Sequence, residues 1–458
     1  TPMAPKATSS ASSAAAADRV PLREPHVVVR VRPLAEEGGH SANGKHVYKR
    51  LVSWDNGEIV LDDNVELGDG QRSKAGVLSR PQVYTFARDI LGTDANQESV
   101  YKSSASELVR SFVQDGYNAL LFAYGQTGTG KTHTIFGHTS SWDDVNHEQA
   151  GIFPRAVVDI FKELRSKSAT TAFVLTASAM EFYMCQCTDL LDGNKPCVIG
   201  DDHAPLGLCS VLIESPEDAI QFMTTVRENR TARSTLMNQA GGGHAGSSRS
   251  HCAMVLTLRQ LDKASGMCLK TTLNIMDMAG AERPSSTGSE HEDAIKAVMD
   301  YWRGAPVTVG GQGFIVNYEL SGLRTAVVQA TEQHKKRKPL VNPKQLGTSF
   351  IEYASGCFTG SALLAMIVTL SPAPSCGWET WFSCTYGDDL NKLRAPVAPQ
   401  AAKPLDAVIE QAEKTATKAA ADLAKTPASG PSAKYLPKRT VQARHDAREF
   451  ELFTMLKG

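Results

Sequence analysis

The stretch from Asn118 to Gly137, NALLFAYGQTGTGKTHTIFG, constrains this chain more than any other part of it. An apolar run, Ala119 to Tyr124, leads into small residues, then a lysine and a hydroxyl. Gly125, Gln126, Thr127, Gly128, Thr129, Gly130, Lys131 and Thr132 fit the spacing G-x-x-x-x-G-K-[ST]. Glycines at these positions let the backbone turn its N–H groups inward around anionic oxygens. The helix that follows adds the positive end of its dipole. Lys131 is then placed to reach the β- and γ-phosphates of a nucleotide, and Thr132 to ligate Mg²⁺. A bare Gly/Thr turn is the plainer alternative. The apolar strand ahead of the loop, which the phosphate-binding geometry requires, argues against it.

The rest of the chain agrees with an α/β fold. In HVVVRVRPL, Val27, Val29 and Val31 face one way and Arg30 and Arg32 the other, a strand stopped by Pro33. FPRAVVDIFKELRSK carries Val157, Ile160, Phe161 and Leu164 at helical spacing. SPEDAIQFMTTVRENR opens with Ser215 as a candidate cap and Asp218 closing a capping box. FVLTASAMEFY, HCAMVLTLRQL and TTLNIMDMAG read as strands, and strands alternating with helices predict a sheet sandwiched between helical layers. The predicted organisation is a low-complexity arm over 1–24, a folded domain over 25–394, an Ala/Lys/Pro-rich linker or tail over 395–440 and a short helix over 441–458.

The chain has 458 residues and a net charge of −1, so bulk charge attracts neither nucleic acid nor a membrane surface. The longest apolar stretch, Ala362 to Leu370, is about half of what spans a bilayer. Nine scattered cysteines, with no metal or redox spacing, read as reduced thiols. Two further stretches join the phosphate loop. GSSRSH, Gly246 to His251, crowds hydroxyls and an arginine before a strand. DMAGAE, Asp277 to Glu282, ends a strand in an acid suited to support Mg²⁺ from behind its direct ligands, followed by a glycine whose N–H can meet a γ-phosphate.

Taken in order, VVVRVRP, GYNALLFAYGQTGTGKTHT, TDLLD, ENRTARSTLMN, SSRSH, DMAGAE and VTLSPAPSCGWET resemble the kinesin motor domain over about Pro25 to Arg394. The resemblance implies a P-loop NTPase core with a mixed sheet of about eight strands between helices, ATP/ADP with Mg²⁺ as cofactor, and microtubules as partner. It places Arg30, Arg32, Pro33 and His133 on the adenine side. Ser247 relays a proton from the attacking water, Ser248 joins Thr132 and Asp277 around Mg²⁺, and Gly280 senses the γ-phosphate. Arg249 and Glu282 form the ion pair that closes the two switch loops. Lys335, Lys336, Arg337 and Lys338 correspond to a basic, tubulin-facing loop.

The chain departs from the family at several points. QAGGGHAG follows Asn238 as an insertion, and glycines there cost order. Ala281 stands where the family has serine. The loop after Glu282 is long, and IVNYELSGL replaces the usual helix motif while keeping Asn317 and Leu320. Pro396 and Pro399 remove backbone donors from the segment expected to dock as a linker, and no heptad repeat follows. Two readings therefore stand: an ATP-hydrolysing motor, and a non-motile kinesin-like component of a microtubule assembly such as a ciliary axoneme. Both place the chain in the cytoplasm on the cytoskeleton. In the second, other proteins of the assembly order the tail.

Overall fold

The computed structural model describes residues 22–33, 50–62, 82–86, 88–200, 203–241, 249–281, 291–305, 307–336, 348–373 and 376–457. Eight strands form one continuous path: β1 His26–Val31, β2 Ile90–Leu91, β3 Ala119–Tyr124, β4 Thr171–Tyr183, β5 Val211–Leu212, β6 His251–Asp262, β7 Met267–Asp277 and β8 Leu363–Leu370. Their spatial order is β5-β4-β6-β7-β3-β8-β1-β2. Two short segments, Gln186–Asp189 on β4 and Lys403–Pro404 on β7, complete a ten-stranded sheet. The β7-β3-β8-β1-β2 half is parallel, and the β5-β4-β6-β7 half is antiparallel. This is the mixed sheet expected.

Strand β3 lies between two parallel neighbours and is buried along its whole length, as a strand covered on both faces must be. Its alternation divides the core. Leu120, Phe122 and Tyr124 join Val27, Val29, Met276 and Val368 on one face; Ala119, Leu121 and Ala123 join Leu256, Ile275 and Ile367 on the other. The α-helices of six or more residues among those described are α1 Gln97–Ser104, α2 Lys131–Phe136, α3 Ile152–Lys167, α4 Asp218–Gly241, α5 His291–Trp302, α6 Val309–Lys335, α7 Ser349–Gly356, α8 Gly377–Asn391, α9 Leu405–Ala424 and α10 Leu436–Thr454. Helices α6, α7 and α8 cover the first face, through Leu320, Leu323, Val327, Phe350 and Tyr386. Helices α1, α3 and α4 cover the second, through Val100, Val157, Ile160, Phe222 and Val226. Side-chain caps fix several starts: Asn96 accepts from the Ser99 N–H, Thr308 from Gly311 and Thr348 from Ile351. Asp218 accepts the N–H groups of Glu214 and Ser215, the carboxylate half of the expected box.

The region after α8 differs from the expected linker. Ala395–Pro396 pairs with Leu22–Arg23, the Gln400 N–H donates to the Gly116 carbonyl at 2.8 Å, and Lys403–Pro404 pairs with the start of β7. The prolines do not prevent docking, because each pairing is only two residues long and a sheet edge needs few of their donors. Residues 405–424, expected as a linker, form α9, which suits their high alanine content. The final helix, expected over 441–458, begins at Leu436. Leu405, Val408 and Ile409 of α9 meet Leu452 and Phe453 of α10 over Val174 and Cys268 of the sheet. Arg259, a fully buried arginine of β6, pairs with Glu449 of α10, which also holds Lys270 of β7 at 2.6 Å. Burial pushes the Glu449 carboxyl up, but Lys270 and Arg259 outweigh it and hold the pKa down to about 2.

A depressed folded-state pKa contributes stability that is full above the unfolded value and is lost as pH falls towards the folded one. Glu449 therefore stabilises the chain above about pH 4.5 by about 3 kcal/mol, and that contribution fades between pH 4.5 and 2. Urea unfolding of wild type and Glu449→Gln should differ by about 2–3 kcal/mol at pH 7, with the gap narrowing as pH drops through 4.

Candidate nucleotide-binding site

Strand β3 delivers the chain to Gly125, where a Cβ would lie 2.3 Å from the Thr369 carbonyl oxygen and 2.5 Å from its hydroxyl. Only glycine fits so close to β8. Gly130, the residue before α2, has φ 99°, in the left-handed region that favours glycine. Between them, the Thr129 hydroxyl is held by Thr369 Oγ1 and the Gln126 carbonyl, both at 2.7 Å. The loop is thus braced against the next strand from its inner side. The buried Lys131 Nζ donates to the Gly125 and Gln126 carbonyls at 2.8 Å each, so its charge sits inside the loop's curve.

Below the loop lies a buried ion cluster. Thr132 Oγ1 donates to Asp277 Oδ2 at 2.8 Å, joining the start of α2 to the end of β7. Arg230 of α4 reaches the same carboxylate oxygen at 2.7 Å, stands 3.7 Å from Glu181 of β4, and donates to the Ser250 carbonyl at 3.0 Å. The Ser250 hydroxyl in turn donates to Glu181 at 2.6 Å. Burial alone would lower the Arg230 pKa; the facing Asp277, Cys252 and Glu181 raise it above its ordinary value, so it stays charged. One cation then faces two carboxylates, and Asp277 Oδ1 is buried without a hydrogen-bond partner. A hydroxyl beside an incompletely satisfied carboxylate is a fitting donor set for a divalent cation such as Mg²⁺, which keeps waters and phosphate oxygens as its other ligands. Among the described residues no cluster of three or more His, Cys, Asp or Glu offers a protein-only metal cage.

A polar shelf borders the loop on its other side. Arg30 donates to Gln97 at 2.9 Å and Thr134 at 2.8 Å, and Gln97 donates to the His133 carbonyl at 2.7 Å. Burial lowers Arg30 to about 10, which leaves it charged. Burial, with Arg30 and His138 adding to it, lowers His133 to about 4, so its ring is neutral at pH 7. Arg32 donates to Ser371 at 3.4 Å and Pro33 is exposed beside it.

The structure thus gathers Gly125–Thr132, His133, Arg30 and Asp277 around one loop. The buried Gly280 follows Asp277 closely, and the Ala281 N–H donates to the Gly125 carbonyl at 3.1 Å, tying the segment after β7 to the phosphate loop. Arg249 stands next to Ser250, at the entry to β6. Ser247, Ser248, Glu282, Arg337 and Lys338 lie outside the described residues. Lys335 ends α6 and Lys336 follows as its cap, both exposed and each 3.5 Å from Glu332. Arg230, Glu181 and Gln97 were not singled out from the sequence. The available signal was Glu181, a lone acid inside the apolar strand AMEFY.

Removing the Arg230 cation leaves two buried carboxylates facing each other. Arg230→Met should cost about 3–5 kcal/mol in urea unfolding, and Arg230→Lys should recover only part, since lysine cannot reproduce the three-way fork.

The family described as "Kinesin motor domain" matches residues 30–300. Kinesin-like protein KIF15 of Rattus norvegicus is 33% identical over 276 residues, covering 58% of this chain and 18% of that protein. Kinesin heavy chain of Drosophila melanogaster is 30% identical over 366 residues, covering 79% and 32%. The chain therefore spans between about a fifth and a third of these relatives. Among solved structures, a KIF14 dimer in a two-heads-bound state, with AMP-PNP and a microtubule, matches with a TM-score of 0.63 at 24% identity, covering 83% of this chain and 96% of that one. A fast kinesin matches with a TM-score of 0.60 at 21% identity, covering 82% and 94%. At these identities the structural matches speak to the fold.

Proposed function

The chain belongs to the kinesin motor-domain family, and from that premise we propose that it binds Mg-ATP in the Gly125–Thr132 loop and hydrolyses it on a microtubule. The observation that carries this reading is the Thr132–Asp277 contact at 2.8 Å beneath a braced loop, with Asp277 Oδ1 lacking a partner. Lys131 gives up the Gly125 and Gln126 carbonyls for the β- and γ-phosphates. Arg30, Arg32, Pro33 and the neutral His133 receive the adenine side. Thr132 and Ser248 would hold Mg²⁺ with Asp277 behind them, and the ion would neutralise phosphate charge. Ser247 passes on the proton of the attacking water, the Gly280 N–H meets the γ-phosphate, and Arg249 with Glu282 closes the site against bulk water. The exposed stripe of α6, Tyr318, Ser321, Thr325, Val328 and Glu332, ends at Lys335 and Lys336 and forms the tubulin-facing surface. The KIF14 neighbour's complex with a microtubule supports that assignment of partner.

A second reading, a static microtubule-bound component, is favoured by the docked segment 395–404. It is pinned between Leu22–Arg23 and β7 and runs straight into the packed pair α9–α10. Such a segment is a poor lever. Microtubule-stimulated phosphate release without filament gliding would single out this reading, and gliding would remove it.

Calorimetric titration with ATP should show affinity falling by about 10- to 100-fold in Lys131→Ala, the loss of a charge-assisted phosphate contact. Glu282→Ala should retain ATP but turn it over on the order of 100-fold more slowly, read as phosphate release with microtubules present. Replacing Lys335, Lys336, Arg337 and Lys338 with alanine should weaken co-sedimentation and flatten its salt dependence, because exposed charges are screened over about 8 Å at physiological ionic strength.

A further inference from the structure

Glu319 is the one acid on the buried face of α6 among the described residues, and it is 1% exposed. Its Oε2 stands 3.6 Å from His251 Nε2, and its Oε1 has no hydrogen-bond partner. A buried carboxylate satisfied this poorly is costly, and a hydrophobic residue of the same size would usually be tolerated or preferred. Its presence calls for a role beyond packing.

His251 supplies the context. The ring is fully buried and lies flat on Phe350 of α7, with centroids 3.8 Å apart and planes 10° apart, so it cannot rotate freely. Its Nδ1 accepts the Ala279 N–H at 3.2 Å. The neutral ring must therefore carry its proton on Nε2, the atom that faces Glu319. One rigid ring thus touches α6 on one edge and, on the other, the backbone immediately before Gly280. It also begins β6, next to Ser250 and Arg249.

We propose that Glu319 is a positioning residue that, through His251, couples the location of α6 to the Ala279–Gly280 backbone. This rests on the reading of α6 as the tubulin-facing helix. A shift of α6 on filament binding moves the carboxylate, the carboxylate draws the Nε2–H, and the ring carries the Ala279 N–H with it. The contact acts on the γ-phosphate side of the site without touching nucleotide.

The test compares wild type, Glu319→Leu and Glu319→Gln in the full chain. Leucine fills the space without charge or acceptor, whereas glutamine keeps an oxygen aimed at Nε2–H. Three quantities are read: amide hydrogen exchange at Ala279 and Gly280, release of a fluorescent ADP analogue with and without microtubules, and the thermal midpoint. In Glu319→Leu, Ala279 exchange should rise about tenfold and the microtubule acceleration of release should drop several-fold. Basal release and thermal midpoint should hold or improve, and Glu319→Gln should stay near wild type. Wild-type exchange and full acceleration in the leucine variant would overturn the proposal. So would parallel losses in both variants with a lowered midpoint, which would mark Glu319 as packing. If wild-type release is not accelerated by microtubules, the functional reading fails, and the exchange comparison alone still decides the coupling.

Discussion

A guanidinium shut away from water between two carboxylates organises the phosphate-loop end of this molecule. Arg230 comes from a helix on one face of the sheet, Glu181 and Asp277 from strands two places apart, and Ser250 from the entry to the strand between them. Each acid would be expensive to bury alone, and side by side they would repel. The arginine converts that repulsion into cohesion, and the Ser250 hydroxyl takes up part of the acceptor capacity of Glu181. Thr132, and with it the phosphate loop, inherits its position from this cluster through Asp277. The residual negative charge that the cluster presents to the loop is what a divalent cation would answer.

Much of this was legible in the sequence because the relevant physics is local. A Gly-rich loop between an apolar run and a helix has few other uses, and the alternation of Val27, Val29 and Val31 exposes a strand directly. The capping contact of Asp218 with the Ser215 N–H is equally local, since it joins residues three apart. The cluster partners were hidden for the opposite reason. Arg230, Glu181 and Asp277 are far apart in the chain, and only the sheet order brings them together. Gln97 likewise looks like an ordinary helix-start residue until the fold sets it beneath Arg30 and His133.

In the tail, composition points to a linker, whereas a few large residues at helical spacing build a packed pair of helices. Alanine, lysine and proline suggested a chain unable to bury enough apolar surface. A few large residues, Leu405, Val408, Leu452 and Phe453, suffice when the sheet already offers Val174 and Cys268 as a floor. Glu449 meeting a fully buried Arg259 adds a directional contact that no local window could show. The prolines at 396 and 404 mark where the segment leaves its short pairings; they do not forbid them.

Strand β7 gives this arrangement a mechanical meaning. Met267 and Cys268 at one end carry Lys403–Pro404, and Asp277 at the other end holds Thr132 and Arg230. The strand is unbroken between them, with no bulge against β6 and a span of about 33 Å. A pull applied to the C-terminal helices would travel along it as along a taut rod, with no hinge on the way to soften it. Tension at one pole of the molecule would therefore be felt as strain on the phosphate loop at the other.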